Sequence, residues 1–418
     1  MRVAALSFVL AAGSAVVPQA AAWGAAGHEI VATIAQMHLH PSVLPTLCSI
    51  LYPSSNINSS SSSSSSSSTL TDPPCALAPI ATWADRIRYL PQFRWTAPLH
   101  YIGARDDFPR ETCAFPGEGG WEKAEVNVLR GIRNVTGVLG GWVDARRGDK
   151  RAEDALKFLV HFLGDMHMPL HLTGRDRGGN GDKVSFDGRV TNLHSLWDGL
   201  LIAQRLRTIP ANYTRPLRLP GVERHLRDTI YDPYVRRLVW EGVLGRYRDE
   251  VQGWLACPDD AKAKAAALTV WERVVGWVVG GKGGDGGLGT DDETLCPYHW
   301  AAPIHALNCE IVWPPALDEP PYTHIASDDS EAHVCGHEDE DLESLPLNLE
   351  SLSQNSGRGG KRPRYVELDT PEYAGVIRDE WIVEKLLTQA GIRLAAVLNW
   401  LFVEPEEGGV RRRMVVEI

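Results

Sequence analysis

The chain has 418 residues and a formal net charge of −11, and 44% of its residues are hydrophobic. This length allows one large domain or two smaller ones, and the apolar fraction is high enough for a sizeable core. Eight of the acidic residues lie between positions 328 and 343 and account for most of the net charge. No broad basic surface is indicated, which excludes a protein that binds nucleic-acid phosphates mainly through lysine and arginine.

The first 22 residues, MRVAALSFVLAAGSAVVPQAAA, have the pattern of a secretory signal peptide. Arg2 provides a basic start, residues 3–17 are mainly apolar, and three alanines precede Trp23 as a small-residue cleavage site. The apolar stretch is short and is interrupted by Gly13, which argues against a membrane anchor. We therefore predict a secreted, extracellular chain that begins at Trp23 after cleavage.

The cysteines and the glycosylation sequons fit an exported chain. Seven cysteines predict disulfides with one thiol left over, and a Cys48–Cys75 pair would close the loop between them. Sequons begin at Asn58, Asn134 and Asn212, and we predict glycosylation at Asn134 and Asn212.

Hydrophobic periodicity predicts a mainly helical protein. Residues 151–168 have apolar side chains at helical spacing, and Pro169 is expected to end or bend that helix. Residues 183–186 and 189–191 flank an Asp-Gly pair and predict one short β-hairpin. A second long helix is predicted for residues 376–402. The predicted fold class is all-α with a minor β-hairpin.

Three segments lack this periodicity and are predicted to be flexible insertions. They are the serine-rich residues 54–74, the glycine-rich residues 280–290 and residues 327–364, which are acidic and then basic. The glycine-rich segment has no GxxxxGKS or GxxxxGKT pattern, so it is not a phosphate-binding loop. We predict one domain over residues 23–403, followed by a C-terminal tail at residues 404–418.

Histidines and aspartates recur at spacings that suit a metal site. His161 and Asp165 are four residues apart, as are His194 and Asp198, so each pair projects from one face of a helix. A single pair of this kind is more commonly a hydrogen bond at the surface or in the core. Further residues of the same two types are His28, Asp85, His100 and His171. Imidazole nitrogens and carboxylate oxygens are zinc ligands, and their accumulation predicts a metal site.

Several longer motifs contain these residues. In chain order they are W-G-x-x-G-H at 23–28, W-A-D at 83–85, L-H-Y-I at 99–102, H-F-L-G-D-x-x-x-P-L-H at 161–171, G-G-N at 178–180, N-L-H-S-x-W-D at 192–198 and G-I-R-L-A-A at 391–396. With these motifs the chain resembles the secreted trizinc single-strand nucleases and 3′-nucleotidases of fungi and plants, the nuclease P-one and S-one family. The resemblance covers most of the mature chain and implies the helical fold of zinc phospholipase C and nuclease P-one, as a single trizinc domain.

The resemblance also implies three Zn²⁺ ions per chain. The implied ligand sets are Trp23 with His28 and Asp165; Asp85 with His100, His161 and the bridging Asp165; and His171 with His194 and Asp198. Trp23 would bind through its free amine and its carbonyl. Cleavage before Trp23 would then be required for activity, because an amide nitrogen cannot serve as an amine ligand.

The activity implied by the resemblance is zinc-dependent hydrolysis of phosphodiester bonds in single-stranded DNA and RNA, with 5′-phosphate products and 3′-nucleotidase activity. A metal-bridging hydroxide would be the nucleophile, with Asp85 and Asp165 as catalytic residues. Arg88 matches a family position that neutralises transition-state charge, and Tyr101 matches one on which a base stacks. We expect a monomer without stable membrane association, whose partners are its single-stranded and 3′-nucleotide substrates.

The sequence departs from the family pattern at a few positions. The family usually has an aspartate that hydrogen-bonds the base two residues after the stacking aromatic, and Gly103 occupies that position. The base preference is therefore open. Cys113 and Cys309 resemble a family disulfide pair, whereas the family's second, short-range disulfide is not evident and Cys257, Cys296 and Cys335 have no assigned partners.

Two alternatives keep the same zinc ligands. One is an enzyme that cleaves a phospholipid phosphodiester, which requires an apolar membrane-facing rim that the sequence does not locate. The other is a secreted zinc protein that has lost catalysis and serves as an interaction module. Loss of a ligand would favour the second alternative, and every ligand type is retained.

Overall fold

Helices form almost all of the regular structure in the computed structural model. The α-helices of the described residues are α1 (Ala25–Met37), α2 (Val43–Leu51), α3 (Trp83–Ile87), α4 (Val128–Ala145), α5 (Lys150–Asp165), α6 (Leu193–Ser195), α7 (Leu201–Arg207), α8 (Asp232–Arg237), α9 (Pro297–Leu307), α10 (Val376–Asp379) and α11 (Ile382–Phe402), with single turns at Asp176–Gly179 and Pro220–Glu223. 3₁₀ turns lie at Ala78–Ile80, Arg94–His100, Pro169–Leu172, Ala211–Thr214, Gly253–Leu255 and Pro315–Asp318. Wider π-helical segments lie at Leu196–Leu200, Leu238–Arg246, Asn308–Val312 and Pro371–Gly375.

The structure describes residues 23–52, 76–145, 150–257, 291–292, 294–320, 322, 365–403, 414 and 416. The predicted signal peptide at 1–22 lies outside these residues, as do the predicted insertions at 54–74, 280–290 and 327–364. The predicted tail at 404–418 is described only at Met414 and Val416, and both of these side chains are buried.

The predicted hairpin is present, and the fold class is confirmed. Strands β1 (Lys183–Phe186) and β2 (Arg189–Asn192) pair antiparallel, with Phe186 opposite Arg189. Asp187 and Gly188 form the two-residue turn, and both have positive φ, as the tight turns of such hairpins require. The described residues contain no other sheet.

The first long helix ends earlier than the sequence predicts. Helix α5 spans Lys150–Asp165 instead of continuing to Met168. Met168 has extended backbone angles, because a residue that precedes a proline is disfavoured in the helical region. The chain leaves the helix after Asp165 and reaches the 3₁₀ segment that begins at Pro169 through a turn at residues 166–168.

The prediction of one continuous helix over residues 376–402 is wrong. Trp381 has φ 58° and ψ 36°, which is left-handed backbone, and it separates α10 from α11. Its indole ring lies under the guanidinium carbon of Arg237, which is 4.7 Å from the ring centroid. The helix is thus interrupted at Trp381, where the side chain contacts Arg237, a residue distant in sequence. Hydrophobic periodicity does not reveal this interruption.

Helix α11 lies in the core and packs against α1. Most of its side chains are buried on all sides, as expected for a helix in the interior. Gly391 lies where α11 meets α1, because a Cβ there would be 2.6 Å from Cγ2 of Ile34 and 3.1 Å from the Val31 carbonyl oxygen. The absence of a side chain at Gly391 therefore permits the close approach of these two helices.

Within the part of the chain that the structure describes, two disulfides join segments that are distant in sequence. Cys113 is bonded to Cys309, with Cα atoms 6.1 Å apart, which attaches the loop after His100 to the π-helical segment that follows α9. Cys257 is bonded to Cys296, a pairing that the motifs did not indicate. The predicted Cys48–Cys75 pairing lies outside the described residues because Cys75 does.

Membrane-spanning helices were sought among the described residues. None of the helices there combines the length and the apolar character that crossing a bilayer would require.

We predict that Gly391→Ala destabilises the fold, because the new methyl group would force α1 and α11 apart. Overpacking of this kind costs about 1–3 kcal/mol in the free energy of unfolding. Gly137→Ala in α4 is the matched control, since a Cβ there meets no atom within 4 Å. The control should be neutral or stabilising by up to about 1 kcal/mol. Equal unfolding free energies for the two variants would contradict the close contact.

Candidate metal centre

The site is built around the C-terminal half of α5. His161 and Asp165 lie one helical turn apart on this helix, and both are fully buried. Helix α1 contributes His28, α3 contributes Asp85, and the 3₁₀ segment Arg94–His100 ends at His100. Three separate elements thus converge on the C-terminal half of α5.

Asp165 is the centre of the first group of side chains. Its Oδ2 is 3.0 Å from His100 Nδ1 and 3.2 Å from His161 Nε2, and its Oδ1 is 3.4 Å from His28 Nε2. Asp85 also approaches His161, with Oδ1 3.4 Å from His161 Nε2. His161 therefore contacts both carboxylates.

A second group adjoins the first. His194 Nε2 is 3.1 Å from Asp198 Oδ2, and the His171 and His194 rings stack with centroids 5.1 Å apart. His171 Nδ1 is also 3.5 Å from Asp165 Oδ1, which connects the two groups. Asn192 accepts a hydrogen bond from the Ser195 amide at 2.7 Å and so caps the short helix that carries His194.

Backbone carbonyls orient three of the imidazoles. His161 Nδ1 donates to the Ala81 carbonyl at 2.7 Å, His171 Nδ1 to that of His100 at 2.8 Å, and His194 Nδ1 to that of Gly178 at 2.8 Å. These bonds assign one hydrogen to Nδ1, so Nε2 is the nitrogen that would bind a metal ion once it carries no proton. Metal-binding histidines in proteins are held in this way.

Among the described residues, several buried polar atoms of both groups have no hydrogen-bond partner. They are both ring nitrogens of His28, His100 Nε2, and both carboxylate oxygens of Asp85, Asp165 and Asp198. Leaving a buried polar atom unsatisfied costs about 1–3 kcal/mol, and more when it is charged. The ligand-type atoms fall into three groups, within each of which they lie within 4.8 Å of one another, and His161 belongs to two of these groups. Bound metal ions would satisfy these atoms, and nitrogen and oxygen ligands at such spacing fit zinc.

The charges of the first group favour a cation at its centre. Burial raises the pKa of Asp85, but His161 and His100 lower it more, and the net result lies well below the ordinary value. Burial lowers the pKa of His161, yet Asp165 and Asp85 raise it to about 10. A metal cation between these carboxylates would compensate the same negative charge that holds a proton on His161.

The Trp23 end of the described chain lies next to the site. Trp23 is fully buried, and the amide of the following residue, Gly24, donates to the Asp198 carbonyl at 2.8 Å. His28 packs directly on α5, since a Cβ at Gly164 would be 2.6 Å from His28 Nδ1. Gly164 is a site residue that sequence reasoning missed, because only the packed structure shows what a side chain there would meet.

Arg88 and Tyr101 flank the two groups. Arg88 Nη1 is 3.7 Å from Asp85 Oδ1, and its Nη2 donates to the Tyr89 hydroxyl at 3.0 Å. Tyr101 is 39% exposed, and its hydroxyl accepts a hydrogen bond from Lys123 Nζ at 3.2 Å. The sequence motifs did not indicate that Tyr89 and Lys123 lie beside the site.

His167 belongs to the same motif as His161 and His171 but faces away from the site. Its Nδ1 donates to the Leu163 carbonyl at 2.6 Å, and its Nε2 is 2.9 Å from Arg393 Nη1. Burial and the charge of Arg393 hold the pKa of His167 well below its usual value. A neutral His167 accepts a hydrogen bond from Arg393, so this histidine is part of the buried core.

The predicted glycosylation sites lie away from these groups in sequence. Asn134 and Asn212 are both exposed.

The amino-acid sequence was compared with known proteins and protein families. Residues 23–243 match the family described as S1/P1 Nuclease. Nuclease S1 of Aspergillus oryzae is 35% identical over 176 residues, which are 42% of this chain and about half (53%) of the length of that relative. Nuclease P1 of Penicillium citrinum is 37% identical over 249 residues, 60% of this chain and 77% of that protein. Endonuclease 3 of Arabidopsis thaliana is 31% identical over 199 residues, 44% of this chain and 56% of that protein. The chain therefore belongs to the S1/P1 nuclease family.

Proposed function

We propose that the protein is a secreted, zinc-dependent endonuclease and 3′-nucleotidase. It hydrolyses phosphodiester bonds in single-stranded DNA and RNA and leaves 5′-phosphates. The observation that carries the proposal is the convergence of buried, unpartnered imidazole and carboxylate atoms around Asp165, in a chain that matches nucleases. We assign the activity to a single domain over residues 23–403 that acts as a monomer without stable membrane association.

The proposal includes three Zn²⁺ ions per chain. The assigned ligands are Trp23, His28 and Asp165 for the first ion; Asp85, His100, His161 and Asp165 for the second; and His171, His194 and Asp198 for the third. The three groups of ligand-type residues, His28 with His161 and Asp165, Asp85 with His100 and His161, and His171 with His194 and Asp198, support this assignment, because each contains one carboxylate and two imidazoles. Removal of residues 1–22 would give Trp23 a free amine beside the site.

The chain's own residues hold the reacting groups in place. Bound zinc supplies Lewis acidity, which lowers the pKa of the water it contacts and stabilises negative charge on phosphate oxygens. Asp85 and Asp165, whose carboxylates both approach His161 Nε2, would hold the ions and compensate their positive charge. The Arg88 guanidinium, beside Asp85, neutralises charge that develops on the phosphate in the transition state.

Single strands suit this site for a physical reason. The ligand groups are buried, so a phosphate must reach them from a strand whose bases can turn away from each other. An exposed aromatic face offers such a base a stacking surface, and Tyr101 directly follows His100. The ions also provide local positive charge on a chain whose net charge is −11.

One observation favours a phospholipid as a second candidate substrate. Three large apolar side chains near Arg88 are exposed, Tyr89 at 54%, Leu90 at 43% and Trp95 at 63%. An apolar rim of this kind is what an enzyme that acts on a lipid surface would need. The same side chains could equally contact bases, so the assay must include both substrates.

We predict that the zinc-loaded chain beginning at Trp23 digests single-stranded DNA and RNA to products with 5′-phosphates, at least about tenfold faster than duplex DNA. Chelator should abolish the digestion and added zinc should restore it, because the ligands hold the ions non-covalently. Asp165→Asn is the matched inactive variant. Cleavage of phosphatidylcholine vesicles without any digestion of single strands would contradict the nuclease assignment, and inactivity on every substrate would favour a non-catalytic protein.

We also predict that Arg88→Lys lowers kcat by about 10²-fold with little change in KM, since lysine lacks the planar fork that contacts two oxygens together. Arg86→Lys on the exposed side of α3 is the control and should keep full activity. Zinc content should be unchanged in both variants. If Arg88→Lys keeps wild-type kcat, Arg88 has no role in the transition state.

A further inference from the structure

Residues 205–237 form an arginine-rich segment that follows the last ligand-type residue of the metal centre. The segment contains eight arginines, no lysine and three acidic residues, so its formal charge is +5 in a chain whose net charge is −11. Positive charge gathered on one part of a protein surface attracts anionic polymers. The arginine-rich segment is therefore a candidate binding surface that is separate from the metal ligands.

Two of the three acidic residues serve the interior of the segment. Glu223 pairs with the guanidinium of Arg236, with Oε2 2.8 Å from Nη2. Asp232 is buried, and its Oδ2 accepts two backbone amides at 3.1 Å. Within the segment, Asp228 is thus the one exposed carboxylate that opposes the exposed arginines.

Three exposed arginines have free guanidinium groups, which form no hydrogen bond, ion pair or ring contact with the described residues. They are Arg215, Arg218 and Arg224. Two other exposed arginines of the segment each approach a carboxylate. Arg207 lies 4.0 Å from Asp187, and Arg227 lies 3.5 Å from Glu29. The three free guanidinium groups are available to anions of a partner.

A single carboxylate holds the backbone that carries these three arginines. Glu223 accepts the Leu217 amide at 2.7 Å and the Arg236 guanidinium at 2.8–3.1 Å. Arg236 in turn donates to the Tyr213 carbonyl at 3.3 Å. Residues 213, 217 and 223 are thus joined, and each lies one or two positions before a free arginine. The three arginines consequently lie on one compact part of the surface, which is formed before a partner binds.

The arginine-rich segment is attached to two elements of the metal centre. Helix α7 begins directly after the π-helical segment that contains Asp198 and ends at Arg207, so it is about 10 Å long. Helix α1, which carries His28, contacts the segment at the next residue, where the Tyr231 hydroxyl donates to the Glu29 carboxylate. A nucleic-acid strand with one phosphate at the metal centre therefore needs only a short extension to reach the segment.

We propose that Arg215, Arg218 and Arg224 bind phosphates of a single-stranded substrate outside the metal centre, an inference that rests on the proposed nuclease function. A guanidinium presents a planar fork of N–H donors that matches two phosphate oxygens. Phosphates repeat along a nucleic-acid strand, so each arginine of the surface can contact one of them. Such contacts hold long strands better than short ones and carry no information about the bases.

A membrane of anionic lipid is a less suitable partner for this surface. Stable attachment to a lipid surface needs apolar side chains that enter the bilayer beside the basic ones. Ile230, which is 84% exposed, is the only large hydrophobic side chain exposed in residues 205–237, all of which the structure describes. Attachment to a membrane would then depend almost wholly on charge, whereas a strand also reaches the metal centre.

The test measures binding of two fluorescein-labelled single strands by fluorescence anisotropy. One is an oligothymidylate of about 20 nucleotides, which is longer than a typical single-strand site, and the other is a trinucleotide. The zinc-loaded chain carries Asp165→Asn to prevent cleavage. N-glycans are removed first, because the predicted site Asn212 lies three residues before Arg215.

The test variant combines Arg215→Gln, Arg218→Gln and Arg224→Gln. Its Kd for the long strand should rise about tenfold. The slope of log K against log salt concentration should fall by about 2, since each phosphate contact with a single strand contributes about 0.7. Trinucleotide binding should change less than about twofold, which also shows that the variant is folded.

The control variant combines Arg110→Gln, Arg248→Gln and Arg378→Gln. It removes the same charge from three exposed arginines on separate segments of the chain. Neither the Kd for the long strand nor the salt slope should change by more than a third of the effect in the test variant, because the control leaves the arginine-rich segment intact.

An unchanged salt slope in the test variant would overturn the inference, as would an equal loss of binding in both variants. Binding to phosphatidylserine vesicles that requires the same three arginines, with unchanged binding of the long strand, would assign them to a membrane and also overturn it. Arginine-dependent binding of the long strand would support the inference even if the unsubstituted chain cleaved no strand, in which case only the proposed nuclease function would fail.

Discussion

The arrangement of the site depends on the buried charge of Asp165. This carboxylate is fully buried and has three imidazoles within 3.4 Å, of which His161 is kept protonated by Asp165 and Asp85 and so compensates part of their charge. Burying an uncompensated carboxylate costs several kcal/mol, so a fold that encloses one needs a cation in contact with it. Elements from separate parts of the chain meet here for that reason, and a bound metal ion would relieve the cost.

Backbone hydrogen bonds and helix packing hold the ligand-type side chains in place. Backbone carbonyls of Ala81, His100 and Gly178 fix three imidazole rings. Glycines at 164 and 391 allow α1 to lie close to both α5 and α11, and α1 carries His28. The positions of the ligand-type side chains thus depend on helix packing in the core and on backbone hydrogen bonds.

Much of the site could be predicted from sequence because helical spacing is a local property. Four-residue separations place His161 with Asp165, and His194 with Asp198, on common faces, and the structure has them there. The Asp-Gly turn of the hairpin is local as well. The end of this helix was predicted less accurately: the helix stops at Asp165 and not at Met168, and Pro169 accounts for the extended backbone of Met168 alone.

Features that depend on distant neighbours could not be predicted. Trp381 breaks a periodic segment while its ring packs under Arg237, and Cys257 pairs with Cys296 without a recognisable motif. His167 has the same residue type and the same motif as two ligand-type histidines, yet it contacts Arg393. Spacing shows which face of a helix a residue occupies, but the residue that meets this face is set by the fold.

The most direct test of the account is a crystal structure of the mature chain with anomalous diffraction recorded on both sides of the zinc absorption edge. The account predicts three zinc peaks, one within each of the three ligand groups, with the α-amine of Trp23 bound to the ion beside His28. Fewer peaks at full zinc occupancy, or a Trp23 amine that binds no ion, would contradict it.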